Sequence, residues 1–251
     1  MSTLLSLSHV TRRFGGLTAV DDVSAEIDKG ALVGLIGPNG AGKTTLFNLI
    51  SGFTPPSSGE IRFKGERIDG MKPFDVARRG MGRTFQNLRI FPNMSVFDNV
   101  SVGAIGSIGV GPLSTLFGGK AKADAISERT YAVLEAVGLA DDAKELAANI
   151  SYGKRKYLEI ARALAMQPDL LILDEPAAGL NDSETQGLAA FIHKLHASGV
   201  TILLVEHDMG LVMSICERVI VLASGRKIAD AAPAGVKADP AVLEAYLGVD
   251  E

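Results

Sequence analysis

The sequence predicts an α/β fold in which buried parallel strands end in loops at one edge of a sheet. Two observations support this prediction. A glycine-rich segment at residues 37–44 lies between an apolar run at 31–36 and the start of a helix at 45. Two further aliphatic runs, at 170–173 and 201–205, lead directly into acidic residues. Short apolar runs of this kind are typical of strands buried on both faces, and the carboxyl ends of such strands face a ligand crevice.

The glycine-rich segment reads GPNGAGKT and has the Gly-x4-Gly-Lys-Thr spacing of a P-loop, in the strand–loop–helix setting that this motif requires. Its glycines permit left-handed conformations that bring N–H groups close to an anion, and the helix N-terminus adds about half a positive charge. Lys43 is therefore expected to reach the β- and γ-phosphates of a nucleoside triphosphate, and the Thr44 hydroxyl to ligate Mg²⁺. An accidental glycine-rich turn is the alternative, but it does not account for the flanking strand and helix.

Polar residues at the ends of three other predicted strands suit the same chemistry. Asp174 can hold Mg²⁺ directly or through water, and Glu175 can orient and deprotonate an attacking water. His207, after the strand at 201–205, can hydrogen-bond a γ-phosphate. Gln86 ends a predicted strand that begins near residue 80, and its side-chain carbonyl can ligate Mg²⁺.

The N-terminal part of the chain predicts antiparallel strands. Alternation at residues 4–10 and 20–27 indicates two strands with a turn at 13–16, which form an edge that leads into the P-loop strand. Phe14, just before the Gly-Gly turn, can stack on a flat ring or simply cap the sheet as an apolar residue. Residues 60–68 predict a hairpin of two short strands.

The middle of the chain, residues 87–159, predicts a helical subdomain inserted into the α/β core. It contains an uncharged run at 100–119 with six glycines. A predicted helix at 121–137 and a second helical piece at 141–148 follow. The core is then expected to resume with a helix at 153–165.

These elements predict one domain over residues 1–251. Residues 1–86 and 160–225 are expected to form the core with its β subdomain. Residues 226–251 are expected to add a hairpin strand and a short helix at 241–247.

Composition limits the classes of partner. The net charge of −4 gives no basic footprint for nucleic acid. The single cysteine, Cys216, lies in an apolar run, so we expect it to be buried in a chain that works in a reducing compartment. The first ten residues lack a basic region and a long apolar stretch, which predicts no signal peptide.

Taken in order, these motifs resemble those of the nucleotide-binding subunit of an ATP-binding cassette (ABC) transporter, and the resemblance covers essentially the whole chain. Gln86 resembles the centre of the glutamine loop, and residues 170–174 with Glu175 resemble the Walker B strand and its following carboxylate. Residues 178–182 resemble the D-loop, and His207 resembles the switch histidine.

The family's signature loop, Leu-Ser-Gly-Gly-Gln, has its counterpart in ISYGK at residues 150–154. Ser151 and Gly153, the positions with which the family grips a phosphate, are retained. Tyr152 and Lys154 depart from the pattern, so the resemblance implies no role for either of them.

Finer features resemble the branched-chain amino-acid importers, and among their subunits the larger of two ATPases. These features are TFQNLRIF at 84–91, DEPAAGLN at 174–181, VEHDM at 205–209 and AYLG at 245–248. ATPases for import of urea and short amides, and one for lipopolysaccharide export, have a similar plan and remain alternatives.

Two other classes are less consistent with the chain. ABC ATPases that act in DNA repair or on ribosomes tend to carry a long coiled-coil insertion or two fused cassettes, and this sequence has neither. An interaction module with an inactive nucleotide site would not need Lys43, Asp174, Glu175 and His207 together.

The resemblance implies an ATPase that uses ATP and Mg²⁺ and works head to tail against a second ATPase subunit, identical or different. It also implies two membrane permease subunits, an indirect periplasmic substrate-binding protein, no nucleic acid, and a cytoplasmic position on the inner face of the cell membrane. The uncharged run after residue 99 would lie near the permease docking groove, or else pack within the helical subdomain or form a loop.

The implied site residues follow from the same motifs. Glu175, His207 and Lys43 are the implied catalytic residues, and Thr44, Gln86 and Asp174 are the implied Mg²⁺ ligands. The residues implied to contact ATP are Phe14, Gly37, Pro38, Asn39, Gly40, Ala41, Gly42, Lys43, Thr44, Thr45 and Gln86, with Ser151 and Gly153 reaching a partner's nucleotide.

Overall fold

The structure is a computed structural model that describes residues 2–86, 88–108 and 119–247. The chain divides into two compact units, Met1–Arg79 with Leu188–Glu251, and Gly80–Gly187. In chain order the elements are β1 (Thr3–Phe14), β2 (Leu17–Asp28), β3 (Leu32–Ile36), α1 (Lys43–Ile50), β4 (Ser58–Phe63), β5 (Glu66–Arg67), α2 (Pro73–Arg78), β6 (Met81–Arg83), α3 (Val96–Ile108), α4 (Gly119–Ala136), α5 (Tyr152–Leu164), β7 (Leu170–Asp174), α6 (Asp182–Ala197), β8 (Thr201–Val205), α7 (Met209–Ile215), β9 (Arg218–Ala223), β10 (Arg226–Ala231), α8 (Pro233–Ala238) and α9 (Pro240–Leu247).

The first unit contains an antiparallel sheet in the order β2-β1-β4-β5. β1 and β2 are longer than predicted and pair as far as Phe14 and Leu17, on either side of the Gly-Gly turn. Because β2 and β4 occupy both edges of β1, these strands form a sheet of their own. Phe14 is the last residue of β1.

Parallel strands form the core of the first unit. β3 pairs in parallel with β8 on one side and with β9 on the other, and β10 lies antiparallel to β9. Every residue of β3 and β8 is buried, as expected for strands covered on both faces. The chain leaves the carboxyl end of β3 directly into residues 37–42 and α1, which puts the P-loop at the ligand edge of these strands.

Helix α7 packs closely against β3 at Gly34. A Cβ atom at Gly34 would lie 2.6 Å from Val212 Cγ1 and 3.2 Å from Cys216 Sγ. Cys216 is buried, as the sequence predicted. The missing side chain at Gly34 therefore allows the helix to lie this close to the strand.

The described part of the second unit combines helices α3, α4 and α5 and the first residues of α6 with two parallel strands, β6 and β7. Helix α3 approaches α5 so closely that a Cβ atom at Gly103 would lie 2.1 Å from Arg162 O. The predicted helical subdomain, residues 87–159, lies within this unit, but α5 continues past its end. The predicted division into subdomains stays a prediction.

The helical piece predicted at residues 141–148 is wrong. These residues form turns and an isolated bridge between Leu146 and Ser95. Ala147 N donates to Met94 O at 3.0 Å, and Val96 N donates to Glu145 O at 2.8 Å. Because the backbone of this segment pairs with residues 92–97, those groups do not form a helical ladder.

Some sequence predictions concern residues outside the described ranges. They include Asn87 of the glutamine loop, residues 109–118 of the uncharged run, and Gly248 of the C-terminal motif. Among the described residues, no helix is both long and apolar enough to cross a membrane.

Candidate functional site

The P-loop of the first unit has a backbone that only glycine accommodates. Gly37 and Gly42 have φ values of 153° and 99°. A Cβ atom at Gly37 would lie 2.2 Å from Leu222 O, and one at Gly42 would lie 2.4 Å from Ala19 O. The neighbours of Gly37 and Gly42 therefore leave room only for glycine, which adopts these φ values without strain, and such a loop can bring backbone amides close to an anion.

The Lys43 side chain is folded over this loop. Its Nζ donates to Gly37 O at 2.6 Å and to Pro38 O at 3.1 Å, and the residue is buried. Helix α1 begins at Lys43, and among the described residues no side chain caps its N-terminus. The first-turn amides and the ammonium group thus suit a phosphate, whose oxygens accept from both.

The other sequence-predicted binding residues of the first unit are exposed or half-buried. Thr44 is exposed at the start of α1, and Thr45 is half-buried beside it. Phe14 is 46% exposed, and the Arg12 guanidinium lies 4.5 Å from its ring centroid. His207 follows β8, with 61% of its side chain exposed.

The C-terminal segment also reaches the P-loop, which the sequence did not predict. A cavity of about 560 Å³ is bounded by P-loop residues and by Ser224 and Glu244. Tyr246 Oη is buried and completes no hydrogen bond to a described residue, although the Gly37 N–H faces it. Burial raises the pKa of Tyr246, and the Gly37 N–H opposes that rise.

The predicted Mg²⁺ ligand Asp174 lies at the end of the fully buried strand β7. Its backbone N donates to Thr84 Oγ1 at 3.1 Å, and Arg83 Nη2 lies 3.7 Å from its Oδ2. Burial raises the pKa of Asp174, Arg83 opposes the rise, and Glu175 adds to it.

Glu175 and Gln86, predicted from separate motifs, are in direct contact. Gln86 Nε2 donates to Glu175 Oε2 at 2.8 Å. Glu175 has a φ of 47°, an uncommon conformation for a residue other than glycine that is often found at functional sites. The structure therefore brings the predicted general base and the glutamine loop together within the second unit.

Glu159 anchors the glutamine loop from both sides of Gln86. Its Oε1 accepts from Phe85 N and from Arg89 N, each at 3.2 Å. Burial raises the pKa of Glu159, and these two N–H groups oppose the rise. Glu159 was not predicted from the sequence, although a carboxylate between two aliphatic residues, Leu158 and Ile160, is a usable signal of a buried anchor.

The signature loop begins helix α5. Ser151 is the N-cap residue, and its Oγ accepts from Lys154 N at 3.4 Å. Ser151 is exposed, whereas Gly153 is buried, and Glu184 Oε1 lies 2.8 Å from where a Cβ atom of Gly153 would be. Lys154 Nζ pairs with the Asp142 carboxylate, with its shorter contact at 2.7 Å.

Mg²⁺ suits the chemistry of the predicted ligands, since a hydroxyl, an amide carbonyl and a carboxylate are hard oxygen donors. Within the described part of the chain, no three His, Cys, Asp or Glu side chains form a group that could hold a metal. Mg²⁺ is commonly held by one or two carboxylates together with substrate phosphates and water, so Asp174 fits such a site.

Comparison with known families gives two matches. The family described as "ABC transporter" matches residues 20–178. The family described as "Branched-chain amino acid ATP-binding cassette transporter" matches residues 226–251, and this range includes Glu244 and Tyr246, which lie beside the P-loop.

Full-length relatives and solved structures are also similar. The chain is 45% identical to the high-affinity branched-chain amino acid transport ATP-binding protein BraF of Pseudomonas aeruginosa, over 98% of both chains. It is 42% identical to LivG of Escherichia coli, named for the same function, again over 98% of both chains. The ADP conformation of MJ1267, an ATP-binding cassette of an ABC transporter, aligns with a TM-score of 0.86 at 31% identity, over 99% of this chain and 100% of that one. A nucleotide-free cassette gives a TM-score of 0.85 at 31% identity, over 98% and 99%.

Proposed function

Because this chain belongs to the ABC transporter family, we propose that it is the subunit that hydrolyses ATP to power the import of branched-chain amino acids. The substrate class is supported by the C-terminal family match and by relatives named for that transport along their whole length. The structural observation that best supports ATP hydrolysis is the P-loop, in which Lys43 Nζ lies 2.6 Å from Gly37 O.

Each predicted residue has a role in this proposal. The amides of the P-loop, with Lys43, hold the β- and γ-phosphates, and Phe14 stacks on the adenine. Thr44, Gln86 and Asp174 would hold Mg²⁺, which would supply positive charge to the phosphates.

Glu175 is the proposed general base. Its carboxylate orients a water molecule and accepts its proton as the water attacks the γ-phosphorus, and His207 hydrogen-bonds the γ-phosphate. The contact between Gln86 and Glu175 supports a glutamine loop that responds to the state of the site, because the Gln86 amide and an attacking water would both donate to the same carboxylate.

The proposed assembly contains a second ATPase subunit, the same or different, and two permease subunits on the inner face of the cell membrane. A periplasmic binding protein would deliver the amino acid. Ser151 and Gly153 would grip the γ-phosphate of the partner's ATP with the N-terminus of α5.

Hydrolysis is tested with the variant Glu175→Gln, which keeps the shape of the side chain and removes the base. We expect turnover of MgATP to fall by about 100-fold or more, while the ATP dissociation constant stays within about threefold. Glu66→Gln, at an exposed carboxylate on β5, is the matched control and should turn over normally. Wild-type turnover in the Glu175 variant would show that the general-base assignment is wrong.

Transport is tested by reconstituting the chain with its permeases and second ATPase in lipid vesicles. We expect ATP-dependent uptake of labelled leucine, isoleucine or valine that Glu175→Gln abolishes. Uptake of urea without uptake of these amino acids would replace the proposed substrate class and leave the ATPase proposal intact.

A further inference from the structure

Tyr152, the residue that departs from the family's signature pattern, packs against the loop that follows Glu175 in its own chain. Its Oη donates to Ala178 O at 3.3 Å. Its side-chain atoms Cε1, Oη and Cζ lie 3.1, 3.2 and 3.4 Å from where a Cβ atom of Gly179 would be. The ring therefore lies directly on the backbone of Gly179, in space that any other residue there would need.

Lys156 holds the other end of the same turn. It lies four residues after Tyr152 on α5, so the two side chains share a face of the helix. Lys156 Nζ donates to Glu175 O at 3.4 Å, and it lies 5.7 Å from the centroid of the Tyr152 ring. One face of α5 thus holds the carbonyl at each end of the turn from Glu175 to Ala178.

The turn itself has a conformation that needs such support. Ala178 N donates to Glu175 O at 3.2 Å, which closes the turn. Glu175 and Gly179 have φ values of 47° and 80°, so one left-handed residue begins the turn and another directly follows it. Left-handed backbone at a residue such as Glu175 persists only when its surroundings enforce it.

A second link joins the same two segments. The Glu184 carboxylate lies beside Gly153, the next residue of the signature loop after Tyr152. Its Oε2 accepts from Asn181 N at 3.0 Å, and Asn181 Oδ1 accepts from Glu184 N at 2.9 Å. This reciprocal pair caps α6 and fixes the far end of the loop against the signature segment.

We propose that Tyr152, assisted by Lys156, is a positioning residue that joins the signature loop to the Glu175 turn of the same chain. The inference rests on the proposed function, in which Ser151 and Gly153 contact the nucleotide of a partner subunit. When that nucleotide closes on the signature loop, Tyr152 holds the turn so that the Glu175 carboxylate is aligned for its own site. Hydrolysis at the two sites of the dimer is then coupled through this contact.

The contact of Tyr152 with the Glu175 turn is tested first by hydrogen exchange on the full, nucleotide-free chain. The amides of Ala178 and Leu180 are the probes, since they close the turn by donating to Glu175 O and Ala177 O. We expect their exchange to be about threefold faster in Tyr152→Phe and about tenfold faster in Tyr152→Gly. Tyr131→Phe, which removes a hydroxyl from a similarly exposed ring on α4, should leave the same amides unchanged.

Steady-state kinetics then separate positioning from a purely structural role. In Tyr152→Phe we expect kcat to fall about fivefold, the size of one neutral hydrogen bond, with KM for ATP within about twofold because the P-loop is untouched. Lys156→Met, which keeps the apolar stem, should lower kcat in the same way. A fall in thermal stability with unchanged kcat would overturn the proposal, as would exchange at Ala178 and Leu180 equal to wild type.

Failure of this inference and failure of the proposed function give different results. If Glu175→Gln abolishes turnover while all Tyr152 and Lys156 variants turn over normally, only the coupling is wrong. If the wild-type chain, assembled with its second ATPase subunit, does not hydrolyse ATP, the proposed function is wrong, and the exchange data still report whether Tyr152 holds the turn.

Discussion

The Arg83 guanidinium lies 3.7 Å from the Asp174 carboxylate, and the two side chains are only 11% and 8% exposed. Burial lowers the pKa of Arg83 to about 10, against the attraction of Asp174. Burial likewise raises the pKa of Asp174, against the attraction of Arg83. Each charge therefore offsets part of the cost of burying the other.

Replacing Arg83 is expected to lower the free energy of unfolding much more than replacing an exposed arginine. Arg83→Met leaves the buried Asp174 carboxylate without this charge, and we expect the free energy of unfolding to fall by about 3 kcal/mol. Arg226→Met is the matched control, because Arg226 pairs with Asp21 at 2.7 Å but is 72% exposed. Its cost should not exceed about 1 kcal/mol. Urea denaturation of the nucleotide-free variants measures both, and equal costs would contradict the argument.

Asp174 and Arg83 differ in whether the sequence alone could predict their place in the site. Asp174 was predicted because it belongs to a contiguous motif after a buried strand, and the α/β fold and family resemblance based on such motifs are confirmed by the comparisons. Arg83 was not predicted, because it meets Asp174 only through the pairing of β6 with β7. The roles assigned to individual site residues stay predictions.

Long-range pairing also explains the error at residues 141–148. Their composition favours helix, but hydrogen bonds to residues 92–97 take the backbone groups that a helix would use. The contact of Tyr246 with the P-loop was missed for a related reason, since more than 200 positions separate it from Gly37. Local pattern predicts elements and contiguous motifs, whereas these contacts depend on how distant segments meet.

Gly34→Ala tests the close contact between β3 and α7. The added methyl would lie 2.6 Å from Val212 Cγ1, so we expect a loss of about 1–3 kcal/mol in the free energy of unfolding. Val212→Ala creates space at the same point. The loss of unfolding free energy in the double variant should therefore be about 1 kcal/mol smaller than the sum of the losses in the two single variants. Additive costs from urea denaturation would show that the strand and helix separate rather than clash.

Asp230 is expected to make stability depend on acid pH. Burial alone would raise the pKa of Asp230, but hydrogen bonds from Arg218 and Lys227 outweigh it and hold the pKa below its ordinary value of 3.8. The folded protein thus keeps the carboxylate ionised where the unfolded chain takes up a proton. The resulting stability is present above the ordinary value and is lost as pH falls through the folded value.

The variant Asp230→Asn measures this contribution. At about pH 7 we expect its free energy of unfolding to lie about 1–3 kcal/mol below that of the wild type. The difference should hold down to about pH 5 and shrink below about pH 4. A difference that is constant down to about pH 3 would mean that the amide loses packing rather than charge.

Cys216 is expected to resist alkylation in the folded protein. Burial raises the pKa of the Cys216 thiol to about 12, and Glu217 adds to the rise. Since the thiolate is the reactive form, iodoacetamide at about pH 8 should label it only at the rate at which the structure opens. The chain has one cysteine, so mass spectrometry should show a single adduct in urea. Labelling at equal rates with and without urea would place the thiol at the surface.

Nucleotide binding to the P-loop is expected to appear directly as stability. In a Glu175→Gln background, which prevents turnover, MgATP at about 100 times its dissociation constant should raise the free energy of unfolding by about 2.7 kcal/mol. Adding Lys43→Ala removes the ammonium group that the loop holds, so the same ATP concentration should give less than about 1 kcal/mol. The shift in thermal midpoint with ATP concentration measures both. If the Lys43 variant is stabilised as much as its parent, the nucleotide is held somewhere other than the loop at residues 37–44.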